Sequence, residues 1–308
     1  MLRPASTRVP STGQRTIGVR NKGEHMRRLS TILGLILLVS TAAVAQVAEG
    51  DTHWAARAEG HQGGRAKATQ IDAAIGAYQK AIAQNPNDLG ARWKLLRAMR
   101  FKGAYAVSGD DAKKAVFEAA KTAGASAFAV LDRQLQAKGV SLSKGSEAQV
   151  ATAARGIEGA GEIIFWDSVN WGEWALVFGK MAAVRAGAAD RIRRESTIAM
   201  LADPKLEGGG GARVLGRLHD QTPHVPFVTG WASSKDAVKY LNESLKADPT
   251  NKITKVFLAE AMVDNNGSTK AQAVQMLKEV VSSPNDPNYE VEQAAAQDDA
   301  KALLKEWS

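Results

Sequence analysis

Two stretches of this chain align without a gap although 163 positions separate them. Ile71 to Met99 reads IDAAIGAYQKAIAQNPNDLGARWKLLRAM, and Ser234 to Met262 reads SKDAVKYLNESLKADPTNKITKVFLAEAM. Ala74/Ala237, Pro86/Pro249, Leu95/Leu258, Ala98/Ala261 and Met99/Met262 are identical, and Ile75/Val238, Tyr78/Leu241, Ile82/Leu245 and Asn85/Asp248 keep their character. Such repetition constrains the fold strongly, because each copy must bury its apolar face on a neighbour. Ile75, Tyr78 and Ile82 share one helical face, as do Val238, Leu241 and Leu245. Each helix should stop at Asn85-Pro86 or Asp248-Pro249, since proline removes a donor and disfavours the α conformation in the residue before it. A second helix follows, carrying Trp93, Leu95, Leu96 and Met99 in one copy and Val256, Phe257, Ala259 and Met262 in the other. The small Ala74 and Ala237 sit where two helices must approach closely.

A third copy begins at Ala271 and closes at Pro284, 35 residues after Pro249. A last helix from Ala294 to Trp307 has Ala300, Leu303, Leu304 and Trp307 on its apolar side, and a terminal helix of a repeat array is expected to turn a polar face outward. The middle is less regular. Asp110 to Ala137 reads as one or two Ala-rich helices, Val140 to Gly145 as a connector, and Glu147 to Ala189 as a helix pair or one broken helix. Ile192 to Leu201 is another helix, Gly208 to Gly211 a flexible turn, Ala212 to His219 a short helix, and Thr222 to Ser233 an irregular loop. The expected class is all-α, a tetratricopeptide-like α-α repeat array of eight to eleven helices, with repeat-like pairs near 71–99, 234–262 and 271–306. Abundant alanine and few β-branched clusters agree with it.

The formal charge of +8 does not indicate a nucleic-acid binder. Residues 1–28 carry seven basic side chains against one acid, Glu24, which leaves +2 for the rest. Met26-Arg27-Arg28, the apolar run Thr31 to Val39 and the small residues of Ala43-Val44-Ala45 have the three-part layout of a signal peptide over 26–45, with cleavage after Ala45. Residues 1–25 then form an upstream extension without structure of its own, and 46–308 the helical domain. The expected location is periplasmic. The competing reading is an inner-membrane anchor, because Thr31 to Ala48 is uncharged for 18 residues, the lower limit for a span. On that reading the protein is an anchored envelope-assembly scaffold. The absence of cysteine excludes disulfides, thiolate metal sites and a lipidated cysteine.

The helix pairs closed by NPND, DPTN and SPND resemble tetratricopeptide repeats. The order ARWKLLRAMRFKG, FWDSVNWGEWA, GGGGARVLGRLHDQTP and DAVKYLNESLKADPTN resembles the T-component family of periplasmic TRAP transport systems over about residues 51–306. The resemblance implies an all-helical, non-enzymatic periplasmic protein with a pore or groove, association with a periplasmic solute-binding protein, and self-association. The chain departs from lipid-anchored members in lacking a cysteine after its signal.

The binding candidates lie in the irregular middle. Ile163, Trp166, Asn170, Trp174, Phe178 and Met181 recur every three or four residues, with Trp171 beside them. Trp166, Asn170, Trp171, Trp174 and Phe178 could line a groove in which an amide orients a small apolar ligand between indole rings. The same stripe is also what a helix core looks like, with Asn170 bonded to backbone. The glycine run 208–211 could present amides to an anion but lacks the Lys-Ser/Thr of a phosphate loop, and a plain turn explains it. His219, Asp220 and His224 are interrupted by Pro223, so no metal site is expected, and Arg191, Arg193 and Arg194 read as a solvated helix face. No enzyme motif and no cofactor fingerprint is present.

Overall fold

The computed structural model describes residues 42–223, 229–265 and 267–308. The predicted apolar signal core lies outside them. Thirteen α-helices are present among the described residues. Helix α1 covers 42–55, and α2 Ala68–Gln84 and α3 Leu89–Phe101 form the first predicted pair. The middle comprises α4 Asp110–Gln136, α5 Glu147–Ala154, α6 Ala160–Phe178, α7 Lys180–Arg185, α8 Ala188–Ala202 and α9 Gly210–Gln221. Then come α10 Ser234–Ala247, α11 Lys252–Asn265, α12 Lys270–Ser282 and α13 Glu290–Glu306. No described helix is long and apolar enough to cross a membrane. The described part of α1 runs through the predicted cleavage point, so cleavage after Ala45 would remove its residues 42–45.

The two aligned stretches adopt the same local structure for the same reasons. Helix α2 ends where the Asn85 N–H donates to the Ala81 carbonyl, and α10 where the Asp248 N–H donates to the Ser244 carbonyl, at equivalent positions. Asp88 Oδ1 caps α3 by accepting from the Ala91 N–H at 2.9 Å, and Asn251 Oδ1 caps α11 by accepting from the Thr254 N–H at 3.0 Å. Ala74 and Ala237 are fully buried, as are Tyr78 and Leu241. Buried Arg92 ties the first turn to the next helix, donating to the Pro86 carbonyl and to Ser126 Oγ.

In the middle the periodicity is a poorer guide. Asp110 to Gln136 is a single helix of 27 residues, and the stretch from Glu147 breaks into α5, α6 and α7. Helix α9 starts two residues before Ala212, inside the glycine run. Glu207, Gly208 and Gly209 have φ of +49°, +62° and +77°, a left-handed turn that glycine adopts without strain. Gly210 and Gly211 are helical and meet the neighbouring helices. A Cβ on Gly210 would stand 2.5 Å from the Phe165 ring, and one on Gly211 2.7 Å from the Met200 backbone nitrogen. The glycines are therefore packing residues as well as a turn.

The helices pack in succession along the chain, α2 on α3, α3 on α4, α4 on α6 past the short α5, α6 on α8 past the short α7, and onward through α9 to α13. The last helix does not end as a free cap. It returns to the start of the array. Val291 of α13 is fully buried in one cluster with Ile71, Tyr78, Leu95 and Phe101. The backbone at Gly64 lies so close to α13 that a Cβ there would be 2.5 Å from the Ala295 Cα. Buried Arg57 reaches across, with Nε 3.1 Å and Nη2 2.9 Å from Glu292 Oε1, and also donates to the Asn288 carbonyl. The helices thus close into a ring.

Where α6 and α8 pack near α4, Asp167 and Glu195 are buried on one guanidinium. Arg191 Nη2 is 2.7 Å from Asp167 Oδ2, and Nε is 2.8 Å from Glu195 Oε1. Burial first, and then the Asp167 charge, hold the Glu195 carboxyl well above the ordinary range. The folded protein keeps a proton that the unfolded chain loses, so this stability is complete below the ordinary Glu value and is lost as pH rises through the raised one. Glu195→Gln keeps an acceptor for Arg191 and supplies an N–H to Asp167. Thermal melts should show it more stable than wild type by on the order of 1 kcal/mol at about pH 8 and equal to it near about pH 4. A variant less stable than wild type at the higher pH would contradict the raised Glu195 carboxyl.

Candidate functional site

Closure of the ring leaves a central cavity of about 950 Å³, at the upper end of the range for small-molecule sites. Its apolar wall is built by Phe165, Trp166, Val169 and Leu176 of α6, Ile192 of α8, Val214 and Leu218 of α9, and Phe257 of α11. On α6 these residues are spaced by one, three and seven positions, which keeps them on one side of the helix. Five arginines also reach the cavity: Arg57, Arg97, Arg100, Arg213 and Arg217. Arg97 and Arg100 lie one turn apart on α3, and Arg213 and Arg217 one turn apart on α9.

Three of the five arginines have carboxylate partners. Arg57 pairs with Glu292, Arg100 with Glu173 at 3.0 Å, and Arg217 with Glu260 at 2.8 Å and Asp220 at 3.1 Å. Arg97 and Arg213 make no ion pair among the described residues. The Arg97 guanidinium lies over Trp54 at 3.9 Å and Trp93 at 4.7 Å, and its buried Nε has no hydrogen-bond partner. Arg213 donates to the backbone carbonyls of Glu207 at 3.0 Å and Gly208 at 3.3 Å, which the left-handed turn aims at it. Burial, chiefly, pushes both guanidinium groups below their ordinary range. Glu207 also reaches the cavity and its field acts on both arginines, yet it is ion-paired with neither; burial raises its own carboxyl.

Of the five residues expected to form a groove, Trp166 is on the cavity wall, and its buried indole N–H has no hydrogen-bond partner. The other four do not line the cavity. Asn170 is fully buried and donates from Nδ2 to the Leu96 carbonyl at 3.0 Å and the Trp166 carbonyl at 2.8 Å, so it joins α6 to α3. Trp174 is stacked on Phe178 at 4.7 Å and lies 5.6 Å from Trp171, and its Nε1 donates to Glu118 Oε2 of α4. Lys121 of α4 sits 3.7 Å from the Trp174 ring. The stripe therefore faces α3 and α4, and the adjacent face of α6 looks into the cavity. Both faces are apolar, and periodicity alone could not choose between them.

The arginine cluster of α8 is partly solvated, with side chains 33%, 42% and 31% exposed, and each arginine also has a partner. Arg191 serves Asp167 and Glu195, Arg193 lies over Trp231 at 4.6 Å, and Arg194 donates to the Leu142 and Gly145 carbonyls. His219 is buried, with Nδ1 accepting from the Ser233 N–H at 3.2 Å, while His224 lies outside the described residues. Among the described residues no group of three His, Cys, Asp or Glu side chains could hold a metal ion. The missed arginines carried one legible signal, the spacing of Arg97-Arg100 and Arg213-Arg217 on single helix faces.

The molecule is thus an all-helical ring around a cavity that is mostly apolar and carries buried guanidinium groups. The chain matches no protein-family model and no curated protein.

Proposed function

We propose that this is a non-enzymatic periplasmic binding protein of tetratricopeptide type, an exported accessory similar to the T-components of TRAP solute uptake. It holds a small ligand in the ring and docks a protein partner, with a solute-binding protein as the expected one. The observation that carries the reading is the closed ring around a cavity of about 950 Å³ walled by aliphatic and aromatic side chains. A cavity of that size with a largely apolar wall has the character of a small-molecule site. The partner reading rests on Leu176, Met181 and Val184, which are 69%, 68% and 59% exposed around α7, with Leu176 and Val184 also on the cavity wall. Large apolar side chains grouped in solvent mark an interaction surface.

Native mass spectrometry of protein purified from an exporting host tests the reading. The expected result is a mature chain beginning at Gln46 that carries a small adduct lost on denaturation. A chain without adduct, whose melting temperature no member of a broad metabolite panel raises, would overturn it.

A further inference from the structure

Arg97 and Arg213 are the two cavity arginines without an ion pair among the described residues. A buried cation is tolerated when a carboxylate or a full set of acceptors meets it. Arg57 and Arg100 have such partners in Glu292 and Glu173. Arg97 and Arg213 share the field of a single carboxylate, Glu207, which pairs with neither. They also feel further positive charge, Arg97 from Arg57 and Arg213 from Arg100. The Asp248 carboxylate, whose field Arg213 also feels, is engaged with Thr250 and Asn251. Both guanidinium groups line the cavity without an ion pair, as does Trp166, whose indole acts on the Glu207 carboxyl.

We infer that Arg97 and Arg213 form an anion-binding pole at one side of the cavity, and that the ligand is an amphipathic organic acid whose carboxylate meets them while its apolar body lies along α6, α8 and α9. The inference rests on the binding role proposed above and names the class of ligand. A guanidinium presents parallel N–H donors that match the two oxygens of a carboxylate. The Arg97 guanidinium lies over Trp54 and Trp93 and interacts with the Tyr78 hydroxyl, and neither contact gives it a carboxylate. The aliphatic and aromatic wall opposite favours a hydrocarbon chain over a sugar or a polyanion.

Titration calorimetry on the whole mature protein, with decanoate, decanol and decyltrimethylammonium below their micellar ranges, separates the outcomes. Decanoate is expected to bind at least about tenfold more tightly than decanol, with the cation weakest, because hydrogen bonds to a charged group carry that much discrimination. Arg97→Gln and Arg213→Gln should each abolish the preference while leaving decanol affinity unchanged, and Arg97→Lys should restore part of it. Equal binding of decanoate and decanol to the wild-type protein would overturn the anionic pole and leave the binding role standing. Failure of all three probes to bind would remove both. The wild-type comparison decides the matter even where a variant does not fold.

Discussion

Glu292→Ala should lower the stability of the folded protein by about 3–5 kcal/mol, the loss expected when one partner of a buried ion pair is removed. The substitution leaves Arg57 buried with its charge unmatched and removes the side chain that holds α13 to the segment after α1. Because that segment and α13 close the ring, hydrogen exchange should accelerate in both before it accelerates elsewhere. Replacing both partners, Arg57→Met with Glu292→Leu, should recover most of the loss, since no buried charge then lacks a partner. A loss below about 1 kcal/mol in the single variant would mean that the pair is solvated and the ring is open in solution.

Phe165→Ala should cost a similar amount, about 3–5 kcal/mol. Phe165 is almost fully buried, meets Trp166 edge to face at 4.9 Å, and presses its ring on α9 where Gly210 leaves room. Truncation empties that contact on both sides. Gly210→Ala should cost about 1–3 kcal/mol for the opposite reason, a methyl group forced into the ring. In the double variant the methyl group occupies part of the space the ring vacated. Its loss should therefore fall short of the two single losses added together, by more than about 0.5 kcal/mol. Strict additivity in chemical denaturation would show that the two residues do not touch.

Both residues illustrate why parts of this fold are hard to see in the chain. The helix ends at Asn85-Pro86 and Asp248-Pro249 were legible, because capping and proline chemistry act within a few residues. The glycine run looked like a turn, and half of it is one. The other half, Gly210 and Gly211, is helical because Phe165 and the Met200 backbone come close, and those neighbours are named by nothing local in the sequence. Helix α6 carries three tryptophans, Trp166, Trp171 and Trp174. Trp171 and Trp174 went to the packing against α4, however, and Trp166 alone of the proposed groove reached the cavity. Arg191, Arg193 and Arg194, three charges within four residues, read as a solvated patch; they stay partly solvated, and each finds its own partner once α8 is packed.

By itself the sequence determined that the chain is helical, where its repeated helix pairs turn, and which small residues those pairs need at their contacts. These are short-range consequences of proline, capping side chains and apolar spacing. Only the tertiary structure decided that the array closes, which face of α6 lines the cavity, and which arginines are left without a carboxylate. Arg57 and Glu292 stand 235 positions apart, and each reads locally as an ordinary surface charge. Their meeting depends on the accumulated angle of every helix packing between them, a quantity that no local pattern records.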